Sequence, residues 1–244
     1  MSKKLNPGII SQARMTSTRL PGKILIQVKQ QALLSYHINR LKQSGLPVFL
    51  ATTLNESDNP VVDFCKQQKI DFSRGDEQNV LSRFYECALK FKLDVIVRVT
   101  SDCPLIDGKL IQTAVANYLQ ENNLNCYASN CIERTFPRGF DFEIFSFDML
   151  KEAYTKATSD SQKEHVTPYF YQNTENKFRL SHIKAAEDNS KYRITVDTPE
   201  DFKLIQILIE EYGCETKSAS EIIDILKLHP ELSEINQHIE QKKA

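Results

Sequence analysis

Residues 8–23 have the sequence GIISQARMTSTRLPGK, in which an apolar run passes directly into a cationic loop. The run at 8–13 predicts a short buried strand. The loop at 14–23 carries three cations, three hydroxyl side chains and one glycine, a combination that suits a polyphosphate at the end of a strand. It is not a P-loop, because Ile24 stands where Ser or Thr is required and Ser17 stands where the first glycine belongs.

Strand patterns and helical patterns alternate along the first 120 residues. The predicted strands lie at 8–13, 48–52, 70–73 and 94–99, and the predicted helices at 33–41, 59–65, 80–91 and 111–119. We therefore predict an α/β fold of three layers, with helices on both faces of a mostly parallel central sheet. Ligands of such sheets bind beyond the carboxyl ends of the strands, so the loops after Ala13 and Val99 are the first candidates for a site.

The pattern changes after residue 120. The predicted elements there are strands at 141–145 and 192–196 and helices at 147–157, 163–172, 198–212 and 218–230. Thr198-Pro199 and Ser218-x-x-Glu221 are typical helix starts, which supports the last two helices. No internal repeat and no long linker are visible, so we expect one domain over residues 1–244.

Composition excludes several classes of protein. The chain has 31 Lys and Arg against 32 Asp and Glu, a net charge of -1, which argues against nucleic acid or anionic lipid as the main partner. No apolar run is long enough for a membrane span, and the polar N-terminus has no signal peptide core, so we expect a cytoplasmic protein. The six cysteines include no C-x-x-C pair, which argues against a structural zinc site and favours free thiols.

Two acids follow predicted strands and could share a metal ion. Asp102 comes just after the strand at 94–99, and Asp197 follows the run at 192–196. Mg²⁺ takes few protein carboxylates and completes its coordination with phosphate and water, so a pair of acids suits it. The nearby Asp107, Glu200 and Asp201 are interpreted as helix caps or first-turn acids.

These segments together resemble one family. The stretch at 10–25 resembles the nucleotide loop of the sugar-acid cytidylyltransferases, which activate acylneuraminate and 3-deoxy-octulosonate sugars. The resemblance is closest to the SpsF-like branch of spore coat polysaccharide biosynthesis and spans residues 8–213. The other family motifs occur in the family's order, as GDEQNVLSRF at 75–84, DCPLID at 102–107, PRGFDFE at 137–143, EHVTPY at 164–169 and RITVDTPEDF at 193–202.

The resemblance implies a nucleotidyltransferase-like fold and the transfer of CMP from CTP to a sugar acid or related sugar, with release of pyrophosphate. The implied catalytic residues are Arg14, Lys23, Asp102 and Asp197, with Mg²⁺ held by Asp102 and Asp197. The implied nucleotide-binding residues are Gln12, Ala13, Arg14, Ser17, Arg19, Lys23, Arg83 and Asp102. The implied acceptor-binding residues are Arg138, Asp141, Glu143 and His165, within a segment at about 135–190 that is also expected to form a homodimer interface.

Other functions stay open on the residues alone. A glycosyltransferase that uses a nucleotide-sugar could have a similar sheet, and the nearest match to its acidic D-x-D motif is at 141–143. A nucleotidyltransferase specific for another base is a second alternative, since Thr16 and Ser101 stand where the SpsF-like branch commonly has glycine and restrict φ there. A non-catalytic nucleotide-binding protein is a third, although it would not need two acids facing a cationic loop.

Overall fold

The structure is a computed structural model that describes residues 4–241. Its strands are β1 (Pro7–Gln12), β2 (Gln27–Val28), β3 (Gln31–Ala32), β4 (Val48–Thr53), β5 (Asp71–Gly75), β6 (Val95–Thr100), β7 (Cys126–Ser129), β8 (Glu143–Ser146) and β9 (Arg179–His182). Its helices are α1 (Leu33–Lys42), α2 (Asn59–Gln68), α3 (Val80–Lys90), α4 (Gly108–Glu121), α5 (Phe147–Lys156), α6 (Asp160–His165), α7 (Pro168–Gln172), α8 (Pro199–Glu210), α9 (Ala219–Leu228) and α10 (Pro230–Glu234).

A seven-stranded sheet in the order β5-β4-β1-β6-β8-β7-β9 forms the middle layer. The strands β5, β4, β1 and β6 are parallel, β8 runs antiparallel to both β6 and β7, and β9 is parallel to β7. The mostly parallel sheet predicted from the sequence is thus confirmed. Because β1 lies between β4 and β6, the loops that follow β1 and β6 emerge side by side at one edge.

The alternation of side chains along β6 shows why helices cover both faces. Val95, Val97 and Val99 pack with α4 in one apolar cluster. Ile96 points the other way and packs with α3 and α5 in a second cluster. Since successive side chains of a strand point to opposite faces, a strand with apolar side chains on both faces must be covered twice. The three predicted layers are therefore confirmed.

The helix caps predicted at the starts of α4, α8 and α9 are present in the structure. The Asp107 carboxylate accepts the backbone N–H groups of Lys109 and Leu110 at the start of α4. The predicted capping boxes at the starts of α8 and α9 are both formed. Asn59-Pro60 also has the pattern of a cap followed by the first turn of a helix, but Asn59 is instead the first residue of α2. The six cysteines are free thiols, and no helix in residues 4–241 is long and apolar enough to cross a membrane.

Two predicted elements are wrong. The stretch 192–196 is not a strand but an extended segment that touches Arg138 through a single isolated bridge. Its backbone hydrogen bonds go to two loops, where Ile194 N–H donates to Arg138 O (2.7 Å) and Val196 N–H donates to Asp102 O (2.8 Å). The helix predicted at 163–172 is two short helices, α6 and α7, interrupted at 166–167.

Candidate active site

The loop after β1, defined here as the first loop (residues 13–24), is folded back on itself. Gly22 has φ 68°, a left-handed conformation that glycine adopts without strain, and its N–H donates to Met15 O (3.0 Å). The N–H of Met15 donates to the buried Asp58 carboxylate (2.6 Å), and the Thr16 hydroxyl donates to Glu77 (2.6 Å). These bonds fix the loop backbone, and its three cations face a cavity.

That cavity, defined here as the first-loop cavity, has a volume of about 620 Å³. It is lined by all eight residues predicted to bind the nucleotide, namely Gln12, Ala13, Arg14, Ser17, Arg19, Lys23, Arg83 and Asp102. The fold therefore brings Gln12 and Arg83, which are 71 positions apart in the sequence, into the same cavity as Asp102. The cavity is also lined by residues that were not predicted as site residues, among them Arg98, Glu164 and Gln241.

Two of the predicted cations occupy very different environments. Arg14 has a side chain that is 46% exposed, and its nearest acid is Glu77 at 3.9 Å. Arg83 is buried and donates to the backbone carbonyls of Asp76 and Glu77, while its Nε has no partner within the described residues. Burial, with Arg14 nearby, lowers the pKa of Arg83 to about 10. Arg14 is thus available to a ligand, whereas Arg83 also braces the 76–77 loop.

Lys23 joins the two predicted acids. Its ammonium donates to Asp102 Oδ2 (3.0 Å) and to Asp197 Oδ1 (2.7 Å). Arg19 forms a further ion pair with Asp197 at 2.9 Å. The two carboxylates come from the end of β6 and from the segment before α8, so their meeting depends on the tertiary fold. They converge on one positive charge at the base of the first loop.

The charges of this cluster stabilise one another. Burial alone would raise the pKa of Asp102, but Lys23 outweighs it and holds the value at about 2. Burial alone would lower the pKa of Lys23, but Asp102 and Asp197 raise it above its usual range. Asp102 is therefore ionised and Lys23 is protonated at neutral pH.

Asp197 is held from behind by a buried arginine. Arg193 donates to both carboxylate oxygens of Asp201 (2.8 and 2.9 Å) and to Asp197 Oδ2 (2.8 Å). Asp201 is fully buried and also accepts from Asn236 (2.8 Å). At the far end of the chain, Gln241 accepts from Arg193 (2.6 Å). The orientation of Asp197 is thus set by a network that includes α8 and the C-terminal segment.

A neutral hydrogen-bond network lies beneath the loop that carries Asp102. Ser11 is hydrogen-bonded to His37 Nε2 and to the Ser101 hydroxyl (both 2.8 Å), and His37 Nδ1–H donates to Cys103 O (2.8 Å). Burial lowers the pKa of His37 to about 4, so its ring is neutral. Neither Ser101 nor Thr16 has a positive φ, which means that both side chains replace the branch's glycines without backbone strain.

A second cavity adjoins the first. It has a volume of about 300 Å³ and is defined here as the β8 cavity, after the strand that begins at Glu143. It is lined by the four residues predicted to bind the acceptor, namely Arg138, Asp141, Glu143 and His165. Six residues line both cavities, and these are Arg98, Thr100, Asp102, His165, Asp197 and Gln241. The two spaces therefore meet at the paired acids.

Glu143 is fully engaged by its neighbours. Its Oε1 accepts from the hydroxyls of Tyr127 and Thr167 (both 2.6 Å), and its Oε2 pairs with Arg98 from the adjacent strand. Arg98 also donates to Gln12 (3.3 Å), which links the walls of the two cavities. A charged residue inside the apolar run 95–99 is the sequence signal that could have identified Arg98 as a site residue, whereas Gln241 has no such signal.

The remaining cations of the β8 cavity, Arg134 and Arg138, differ in whether their charge is paired. Arg134 forms a two-point ion pair with Asp141. The guanidinium of Arg138 donates no hydrogen bond to any residue within 4–241, and burial together with Arg134 lowers its pKa. Gly139 lets the chain bend here, since it has φ 111° and a Cβ at that position would lie 2.7 Å from the Ile194 backbone. Arg138 is thus held against 193–197 with its charge unpaired.

Comparison with known proteins identifies the family. A family model described as cytidylyltransferase matches residues 8–238. The spore coat polysaccharide biosynthesis protein SpsF of Bacillus subtilis is 32% identical, covering 91% of this chain and 94% of that protein. The 3-deoxy-manno-octulosonate cytidylyltransferase of Solibacter usitatus is 24% identical, covering 81% of this chain and 92% of that protein.

A solved structure supports the same family. A cytidylyltransferase from Leptospira borgpetersenii superimposes with a TM-score of 0.88 at 32% identity, covering 98% of this chain and all of that one (100%). This similarity extends over the sheet, the first loop and the segment that carries Asp197. The match over residues 8–238, together with this superposition, shows that the chain belongs to the cytidylyltransferase family.

Proposed function

We propose that this protein transfers CMP from CTP to a sugar acid and releases pyrophosphate, as a step in the synthesis of a surface glycan. The observation that carries the proposal is the convergence of Asp102 and Asp197 on Lys23, where the two cavities meet. On one side of this point lies a loop of cations, and on the other an unpaired guanidinium. That arrangement suits a nucleotide in one cavity and an anionic acceptor in the other, which react with each other where the cavities meet.

The first-loop cavity is proposed to hold CTP. Arg14, Arg19 and Lys23 all face it, and together they oppose the roughly four negative charges that a triphosphate carries. Phosphoryl and nucleotidyl transfer depend mainly on positioning and on neutralising charge in the transition state. A loop with a fixed backbone and three cations along one cavity provides both, so no covalent nucleophile is needed.

Asp102 and Asp197 fit a magnesium ion. Both carboxylates already direct an oxygen at a single positive charge, the ammonium of Lys23. Within residues 4–241, no group of three or more His, Cys, Asp or Glu side chains is placed to hold a metal. Two carboxylates suit Mg²⁺ because it shares its coordination with phosphates and water. When bound, it would supply further neutralisation of the triphosphate.

The β8 cavity is proposed to hold the sugar acid. Arg134 is neutralised by Asp141 and Arg98 by Glu143, which leaves Arg138 as the guanidinium of this cavity without a partner in residues 4–241. One unpaired guanidinium matches the single charge of a carboxylate and can grip it by two parallel hydrogen bonds. The names of the two curated relatives, one a polysaccharide biosynthesis protein and one a sugar-acid cytidylyltransferase, support the same class of acceptor.

The glycosyltransferase alternative needs the two acids of a D-x-D motif to converge on one cation, and the candidate at 141–143 does not show this. Asp141 pairs with Arg134, whereas Glu143 pairs with Arg98 and accepts from two hydroxyls. Asp102 and Asp197, in contrast, contact the same ammonium. The geometry therefore favours nucleotidyl transfer.

We also propose that the protein acts in the cytoplasm and as a homodimer through the segment at about 135–190. Tyr154 of α5 is 41% exposed and stacks on Tyr85 of α3 at 4.2 Å, which gives this face an aromatic surface. Such rings are common at protein interfaces. Light scattering of the wild-type chain and of Tyr154→Lys tests the dimer, which predicts twice the chain mass for the first and a shift toward the single-chain mass for the second.

A pyrophosphate-release screen tests the proposed reaction. Each of the four nucleoside triphosphates is combined with 3-deoxy-manno-octulosonate, N-acetylneuraminate and glucose-1-phosphate, with Mg²⁺ present. The proposal predicts release only for CTP with a sugar acid, and a product whose mass is that of the CMP-sugar. Release with another nucleotide, or with glucose-1-phosphate alone, would contradict it. Asp197→Asn is the matched control, because it keeps the size of the side chain but removes the charge.

A further inference from the structure

His165 lies where the two cavities meet. It is the last residue of α6, it is half-buried, and it lines both the first-loop cavity and the β8 cavity. No described residue forms a hydrogen bond with its imidazole. The ring is therefore positioned at the junction with both nitrogens available.

The backbone that follows His165 is strained. Val166 has φ 68° and ψ -53°, and the N–H of Thr167 donates back to His165 O at 2.8 Å. This is a γ-turn with a positive φ at its central residue, which is the rare and strained form. A β-branched residue seldom adopts a positive φ, so the conformation must be held in place by the surrounding structure.

Two anchors hold the strained turn. The Val166 side chain is completely buried in the apolar cluster formed by α3, α5 and α7. The Thr167 hydroxyl donates to Glu143 Oε1 (2.6 Å), and Glu143 is itself fixed by Tyr127 and Arg98. With the residues on its C-terminal side held in this way, His165 is directed toward the junction. Strain of this kind is retained most often at functional sites.

The other groups of the β8 cavity that could accept a proton are already occupied. Its carboxylates are all ion-paired, Asp102 and Asp197 with Lys23, Asp141 with Arg134, and Glu143 with Arg98. Burial raises the pKa of its two thiols and of its tyrosine, which are Cys103, Cys131 and Tyr171. Its remaining charged side chain is the guanidinium of Arg138, which has no free pair of electrons to offer.

We propose that His165 is the general base of the transfer reaction, an inference that rests on the proposed function. An imidazole nitrogen takes the proton of the attacking hydroxyl of the sugar acid. The oxygen forms a bond to the α-phosphorus of CTP as the bond from that phosphorus to the bridging oxygen breaks. Pyrophosphate leaves with the electron pair, and the imidazolium returns its proton to water. Histidine is the side chain most often used for this task.

The same step narrows the class of acceptor. A sugar-1-phosphate attacks through an oxygen that is already ionised at neutral pH, so it needs no base. A sugar acid attacks through a hydroxyl, whose proton must be removed. A free imidazole beside an unpaired guanidinium therefore fits an acceptor that carries both a hydroxyl nucleophile and a carboxylate.

Chemical rescue of His165→Ala tests the role. With 3-deoxy-manno-octulosonate and N-acetylneuraminate as acceptor probes, we expect kcat to fall by about 100-fold or more while the KM for CTP stays unchanged. Added imidazole should restore part of the turnover of His165→Ala. It should not restore that of His165→Gln, in which the side chain fills the space. His238→Ala is the matched control, because this histidine is exposed and lines neither cavity, and it should keep wild-type kcat.

The possible failures are distinguishable. If the wild-type chain releases no pyrophosphate with CTP and any acceptor, the proposed function is overturned and the base with it. If the wild type is active and His165→Ala is equally active, only the role of His165 is overturned. A fall in kcat that imidazole does not relieve, with a raised KM for the acceptor, would assign His165 to binding and would also overturn its role as base.

Discussion

The two cavities that meet at Asp102 and Asp197 are built in different ways. The first-loop cavity lies beyond the ends of parallel strands and takes most of its cations from one continuous stretch, residues 14–23. The β8 cavity lies beside antiparallel strands and takes its residues from five separated segments. In the first cavity Arg14 is exposed to a ligand, while Arg19 and Lys23 are paired with the two acids; in the second every carboxylate is paired with a cation. Within residues 4–241, Arg138 and His165 have no such partner, and the proposed role of the β8 cavity therefore rests on them.

The largest effect is expected at Lys23, whose ammonium contacts the two acids that line both cavities. Lys23→Ala leaves Asp102 and Asp197 facing each other without their ammonium, and breaking a partly buried pair of this kind costs on the order of 3–5 kcal/mol. We expect a loss of turnover of more than about 100-fold and a lower melting temperature. Steady-state kinetics and thermal unfolding measure the two effects. Lys66→Ala, at an exposed lysine of α2, should change neither. Wild-type turnover of Lys23→Ala would mean that the acids do not organise the junction.

The next effect is a loss of stability at low pH, which arises at His37 beneath the loop that carries Asp102. The pKa of His37 is about 4 in the folded protein against an ordinary 6.5, so as pH falls the unfolded chain binds the proton first. The stability that depends on neutral His37 is complete above pH 6.5 and is lost as pH falls through about 4. The loss amounts to about 3 kcal/mol. Denaturant unfolding at a series of pH values should show it in the wild type, and His37→Gln should be less stable at pH 7 but lack this loss.

The smallest effect is expected in the β8 cavity. Thr167→Val removes the hydroxyl that joins the strained turn to Glu143, a hydrogen bond that contributes about 1 kcal/mol. We expect kcat to fall by about fivefold with the KM for CTP unchanged, because His165 loses its orientation but the first-loop cavity is intact. Thr155→Val on the exposed side of α5 is the control. A rise in the KM for CTP would show that the two cavities are not separate.

The first-loop cavity could be predicted from sequence because its information is local. The strand at 8–13, its cationic loop and the caps of α4, α8 and α9 depend on residues within a few positions of one another, and patterns of that range are visible in a sequence. The positions of Asp102 and Asp197 after predicted strands suggested a shared metal ion, and the family resemblance implied the same pairing. Their actual meeting at Lys23 depends on residues 174 positions apart and only the fold reveals it.

The β8 cavity was predicted less well because its information is tertiary. Residues 192–196 have the composition of a strand, but their hydrogen bonds go to two loops, so the pattern gave the wrong element. The break between α6 and α7 comes from the positive φ of Val166, which burial enforces against its β-branched preference. Outside the β8 cavity, the β2–β3 hairpin was not predicted from the sequence. Its turn contains Lys29 and Gln30, which adopt two positive φ values in place of the usual Asn-Gly.

A measurement of both Michaelis constants in two variants tests the division of labour between the cavities most directly. Arg14→Ala should raise the KM for CTP and leave that for the sugar acid unchanged. Arg138→Ala should raise the KM for the sugar acid by about 10- to 100-fold, the equivalent of losing charged hydrogen bonds, and leave that for CTP unchanged. Arg138→Lys should restore only part of this loss, because a lysine cannot form two parallel hydrogen bonds to a carboxylate. An equal rise of both constants in either variant, or an unchanged acceptor KM in Arg138→Ala, would contradict the assignment of one substrate to each cavity.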